Sequence, residues 1–134
     1  MTPIAFSGRC TEHVSSSSKA LITYNRTLLE SEYWDGTRFT APRDGVYFFS
    51  ISFVKDAYYH DGHEDDVYVH LYKNSESMGY AWSGQGTGKR GTGALSLTLY
   101  LQQNDVITTK SDDDSSITDK RHISEAYITG FGMY

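Results

Sequence analysis

GVYFFSISFV, residues 45–54, reads as the strongest strand of the chain. Side chains alternate between the two faces of a strand. Tyr47, Phe49, Ile51 and Phe53 therefore share one face, and Val46, Phe48 and Val54 the other. A strand that is apolar on both faces is normally covered on both. In a chain of 134 residues the core supplies one cover, and a neighbouring subunit is the candidate for the second.

Outward from this stretch the same two-residue period recurs between turn signals. Asp44-Gly45 and Pro42 mark a turn before it, and residues 37–40 a short strand before that. Residues 4–8 and 20–25 read as earlier extended pieces, and 67–72 alternates with Val67, Val69 and Leu71 inward. Residues 73–76 make a hairpin turn and 78–82 the return strand. Leu95, Leu97, Leu99 and Leu101 alternate over residues 94–101, followed by 106–109 and a closing strand at 126–134. Residues 56–66, 83–93 and 110–124 read as polar or glycine-rich loops. No run repeats apolar residues at helical spacing, and only residues 27–33 tolerate a helical turn. Nine or ten short strands without an internal repeat predict a single all-β domain over residues 1–134, a jelly-roll β-sandwich.

Charge and cysteine usage narrow the function. The formal net charge is −5 and no basic stripe exists, Lys89-Arg90 being the closest approach. That argues against nucleic-acid binding and against attraction to anionic membranes. No apolar run approaches the ~20 residues of a membrane helix, and residues 1–6 lack the pattern of a signal peptide. Cys10 is the only cysteine, so no disulfide forms within the chain, and it reads as a small buried residue. Catalytic signatures are lacking: Cys10 has no local partner, no Gly-x-Ser-x-Gly elbow occurs, and Gly84-Gln85-Gly86-Thr87-Gly88-Lys89 departs from phosphate-loop spacing. The chain reads as a non-enzyme.

The order of landmarks resembles the globular domain of complement C1q and its relatives. Ala5-Phe6-Ser7 matches the family's opening strand, and Asn25 and Tyr33 follow as its Asn and aromatic do. The most specific match is Phe39-Thr40-Ala41-Pro42-Arg43-Asp44-Gly45-Val46-Tyr47-Phe48-Phe49. Leu71-Tyr72-Lys73-Asn74, the stretch 93–106 with Asn104 at a turn glycine, and the ending Ile128-Thr129-Gly130-Phe131-Gly132-Met133-Tyr134 continue it. The resemblance implies a ten-stranded jelly roll of C1q/TNF type, a compact trimer and an extracellular binding role. Two departures stand out. No collagen-like Gly-X-Y stretch precedes the domain, and the glycine-rich loop 83–93 lacks the acidic calcium ligands many relatives carry there.

Candidate sites follow from local chemistry. His60, His63, Glu64, Asp65 and Asp66 place imidazoles and carboxylates in one short run, the ligand types zinc and calcium take. Asp112, Asp113 and Asp114 form a second acidic run, whose mutual repulsion a cation would relieve. Such loops are more often merely solvated, and calcium is the one cofactor candidate. Tyr58 and Tyr59, with Lys89 and Arg90, are candidate ligand contacts, whereas Tyr80 and Trp82 read as mainly structural. Phe6, Phe48, Tyr127 and Tyr134 are candidate trimer-interface aromatics. The expectation is a homotrimeric extracellular recognition module that binds a protein or a microbial-surface glycan through its loops. The alternatives are a trimerisation domain without a ligand of its own and a His/carboxylate metal-binding protein.

Overall fold

The computed structural model describes residues 4–12, 20–56, 66–84, 90–113 and 123–133, with the backbone alone at Asp113. Nine strands occur among them: β1 (Ala5–Cys10), β2 (Arg26–Leu29), β3 (Phe39–Thr40), β4 (Gly45–Lys55), β5 (Val67–Lys73), β6 (Glu76–Ser83), β7 (Gly91–Leu101), β8 (Val106–Asp113) and β9 (Ile123–Met133). Two antiparallel sheets result, a five-stranded one in the order β2-β1-β9-β4-β7 and a four-stranded one in the order β3-β8-β5-β6. They pack face to face as a jelly-roll sandwich. β4 sits where its two-sided apolar pattern requires, between β9 and β7, with Tyr47, Phe49, Ile51 and Phe53 buried against the opposite sheet.

Two local expectations are corrected. Residues 27–33 hold no helical turn: β2 occupies Arg26–Leu29 and pairs with β1. All four of its side chains are exposed, so no burial period marks it. Residues 20–25 are extended as expected, though they join no strand ladder. They run beside β8, with a single bridge from Leu21 to Lys110, Ile22 N–H donating to Thr109 O at 2.9 Å and Ser111 N–H to Ala20 O at 3.0 Å. This segment drives Ile22 and Tyr24 into the core. β8 also runs on to Asp113, into what reads as loop, because Ser111 and Asp112 pair with Val69 and Tyr68 of β5.

Aromatic rings dominate the core. Phe6 stacks on Trp34 at 4.9 Å and on Phe39 at 5.1 Å, and Phe39 meets Tyr47 and Phe49 edge-on at 5.7 Å. Buried phenols need partners for their hydroxyls. Tyr47 donates to Arg43 O at 2.6 Å, and Tyr24 shares a 2.9 Å hydrogen bond with Thr109 Oγ1. Burial pushes the Tyr24 phenol well above the ordinary tyrosine range. Gly130 of β9 lies opposite both Phe6 and Phe49, and their rings lean over it. A Cβ there would stand 2.6 Å from Phe6 Cε1 and 2.8 Å from Phe49 Cδ1. The glycine is what lets two rings share one site.

The two ends of the sandwich differ. Asn74 adopts a left-handed φ of 57° at the β5–β6 turn. Its side chain ties that turn to the one before β8: Nδ2–H donates to Asp105 Oδ1 at 3.1 Å, and Oδ1 accepts from Val106 N–H at 3.0 Å. β1 begins and β9 ends at this same end, where Ala5 faces Phe131 and Gly132 N–H donates to Ile4 O at 2.9 Å. At the opposite end Lys55 faces Gly91 and Ile123, and Val67 faces Ser83 and Asp113.

Candidate functional site

Strand alternation leaves each sheet one outward face. On the five-stranded sheet, β4 presents Val46 and Phe48, β7 presents Tyr100, and β9 presents Phe131 and Met133. Register makes them neighbours: Val46 stands between Tyr100 and Met133, and Phe48 beside Phe131 with ring centroids 5.2 Å apart. Tyr100 is 58% exposed, Met133 56%, Phe131 42% and Val46 38%. Scattered apolar residues on a surface need no explanation, but a contiguous cluster marks an interaction site. Further along, the face turns polar, with Ser50 and Ser96 hydroxyls 2.9 Å apart. It ends on a charged group in which Arg9 donates to Glu125 Oε1 at 2.7 Å and lies 5.6 Å from the Tyr127 ring centroid. Arg9 Nε is buried and has no hydrogen-bond partner among the described residues.

The expected interface aromatics divide. Phe48 and Tyr127 lie on this outward face. Phe6 does not: it is fully buried on the inward side of β1, between Trp34 and Phe39, so it is a core residue and has no surface to offer a second chain. The strand's parity decides this, since Phe6 alternates with Ala5 and Ser7. Tyr134 lies outside the described residues.

The outward face of the four-stranded sheet is aromatic in a different way. Tyr68, His70 and Tyr72 project from β5, Tyr80 and Trp82 from β6. Tyr68 lies opposite Trp82, and His70 opposite Tyr80. Tyr80 meets Tyr68 at 5.3 Å in a T-shape and His70 at 5.3 Å. His70 Nδ1 is 2.9 Å from Ser77 Oγ, and Lys110 Nζ sits 4.7 Å over the Tyr72 ring. Tyr80 and Trp82 are each 52% exposed, which rules out core packing within this chain for both. A preference for strands says nothing about which face a ring takes, and only the register with β5 places these two outside.

Of the loop candidates, Tyr58, Tyr59, His60, His63, Glu64, Asp65, Lys89 and Asp114 lie outside the described residues. Asp66 and Asp112 are half-buried, and Arg90 is exposed with a guanidinium nitrogen 3.9 Å from Asp56 Oδ1. Asp113 is placed by its backbone, opposite Val67. Among the described residues no group of three or more His, Cys, Asp and Glu is arranged to hold a metal ion. The described strand ends that flank 57–65, 85–89 and 114–122 gather at one end of the sandwich.

A cavity of about 410 Å³, not foreseen from the sequence, opens at the other end among Tyr33, Trp34, Asp35, Arg38, Pro42 and Asn104. The backbone N–H groups of Arg38 and Thr37 hold the Asp35 carboxyl below the usual carboxylate range. Those bonds shape the turn, and none of the buried side-chain atoms lacking a partner among the described residues lines this cavity.

Comparison with known proteins agrees with this architecture. A family profile described as "C1q domain" matches residues 5–133. The chain is 31% identical over 108 residues to the mouse and human proteins named complement C1q tumor necrosis factor-related protein 3. The match takes in 78% of this chain and 41% of each relative, so the chain spans well under half their length. Among solved structures, the globular domain of zebrafish complement 1qA protein superposes with a TM-score of 0.75 at 17% identity, covering 98% of both chains.

Proposed function

The chain belongs to the C1q domain family, and we propose that it is a non-enzymatic extracellular recognition domain that self-associates as a trimer through the outward face of its five-stranded sheet. One observation carries the reading: Val46, Phe48, Tyr100, Phe131 and Met133 form a single apolar cluster on that face. Burying such surface is worth roughly 25 cal/mol per Å² before the costs of association. A three-fold interface is heterologous, one patch of each copy meeting a different patch of the next. The face offers two unlike regions, the apolar cluster and the Arg9–Glu125–Tyr127 group. Ligand contacts are assigned to the connections at the Lys55 and Ser83 end, since binding residues concentrate on connections held by a rigid scaffold. The extracellular setting rests on the family.

Light scattering tests the assembly directly. The expected mass is three times 15.1 kDa, about 45 kDa, in calcium and again in chelator. A 15.1 kDa species in both buffers would sink the proposal. A trimer seen only with calcium would move the acidic segments, rather than the apolar cluster, to the centre of assembly.

A further inference from the structure

The sandwich has a second outward face, with a chemistry unlike the first. We propose that the face of the four-stranded sheet carrying Tyr68, His70, Tyr80 and Trp82 is a binding platform for an uncharged saccharide chain. This deepens the recognition reading above and rests on it, moving one contact surface from the loops to the sheet.

Three features select the ligand. The first is the kind of apolar surface. The self-association face is built mainly of Val46, Phe48, Phe131 and Met133, side chains with no polar atom to offer a hydrogen bond of ordinary strength, with Tyr100 the one phenol in the cluster. On the platform the apolar groups of β5 and β6 are rings with a hydroxyl, an indole N–H or imidazole nitrogens, and the aliphatic Leu21 lies at the margin, opposite Lys110. Such rings suit a ligand that is apolar on one side and polar at its edge. A pyranose has that form, with axial C–H bonds on one face and hydroxyls around its rim.

The second feature is shape. The rings stand side by side on paired strands, at centroid separations of 5.3 Å for Tyr68–Tyr80 and His70–Tyr80 and 6.2 Å for Tyr68–His70. They spread as an array and enclose no cage. An array accepts a flat ring or a run of them; a single ammonium group would want rings closing around it.

The third feature is charge. The platform mixes one cation, Lys110 over Tyr72, with the carboxylates of Asp112 and Asp66. One cation against two carboxylates leaves a slight acidic excess, which with the chain's net charge of −5 opposes docking of an anionic chain. Gly84 adds a positioning detail. A Cβ at that residue would lie 2.3 Å from Trp82 Cζ2 and 2.6 Å from Asp66 Oδ1. The indole and the carboxylate thus crowd one glycine, and a sugar stacked on Trp82 has an acceptor for its hydroxyls at the ring's edge.

Affinity electrophoresis through gels holding laminarin, mannan, galactomannan or xyloglucan tests the platform, with heparin as the charged comparison. The wild-type chain is expected to be retarded by at least one of the four neutral polysaccharides, in calcium and in chelator alike. Tyr80→Ala and Trp82→Ala are each expected to weaken that retardation at least tenfold, and the double variant to abolish it. Both side chains are more than half exposed, so the variants should keep their fold and their mass by light scattering. Trp34 is 7% exposed, so the fluorescence change on adding the retarding polysaccharide is expected to come from Trp82 and to vanish in Trp82→Phe. Three results would overturn the platform: no retardation by any neutral polysaccharide, retardation undiminished in the double variant, or heparin binding stronger than neutral binding. Undiminished retardation would return recognition to the loops and leave the broader reading standing. A monomeric mass would count against the trimer alone.

Discussion

Gly130→Val is expected to leave no folded protein, and Gly130→Ala to cost about 3 kcal/mol, toward the upper end for overpacking a core. The reason is local and geometric. Carbon atoms sit comfortably at about 3.5–4.0 Å. The first methyl added at Gly130 would press within 2.6 Å of one ring and 2.8 Å of another. Neither ring has an easy way to yield. Phe6 is held by Trp34 at 4.9 Å and Phe39 at 5.1 Å, and Phe49 by Phe39 and by Tyr47 at 6.5 Å. Interiors this dense transmit strain instead of absorbing it. Urea denaturation of the alanine variant, with tyrosine and tryptophan fluorescence as the readout, checks the magnitude. Soluble Gly130→Val protein with an unchanged midpoint would refute the account.

Phe131→Asp, one residue along the same strand, should act on assembly with little effect on the fold. Phe131 faces outward and is 42% exposed in the single chain. The monomer loses chiefly its contact with Phe48, an aromatic pair worth about 1 kcal/mol. In the trimer the substitution puts three carboxylates under an apolar cover. Leaving a charge buried without a partner costs about 3 kcal/mol or more per copy. The expected result is a species of 15.1 kDa at concentrations where the wild-type chain runs at about 45 kDa, with thermal unfolding of the variant still cooperative. A variant that remains trimeric would place the interface elsewhere. The neighbouring positions 130 and 131 thus separate the two roles of β9, one side serving the core and the other the surface.

The strands that sequence reading located were those with a buried face. β4 and β7 declare themselves because Tyr47 to Phe53 and Leu95 to Leu101 alternate in step with burial. β2 escaped because a four-residue edge strand with every side chain exposed has no such period. The far half of β8 escaped because Lys110, Ser111 and Asp112 carry loop-like side chains, although Ser111 is buried and the backbone pairs with β5. Phe6 was misplaced for a related reason. Its phase depends on which neighbours face in, and a six-residue strand containing Gly8 and Cys10 leaves that phase weakly marked. Tyr80 and Trp82 show the same limit on the other sheet. Whether an aromatic fills a core or faces solvent is settled by register, which here depends on pairing with His70 and Tyr68 of β5.

The pairing of β1 with β9 has a mechanical consequence. The strands are antiparallel neighbours, and the start of one lies beside the end of the other, Ala5 against Phe131. Their hydrogen bonds run across the strands. A pull on the two chain ends therefore loads the bond nearest those ends first, then the next, and never the whole ladder together. Force opens this domain like a zip from its terminal edge, so resistance to pulling is governed by a few bonds at that edge, whatever the stability of the aromatic core.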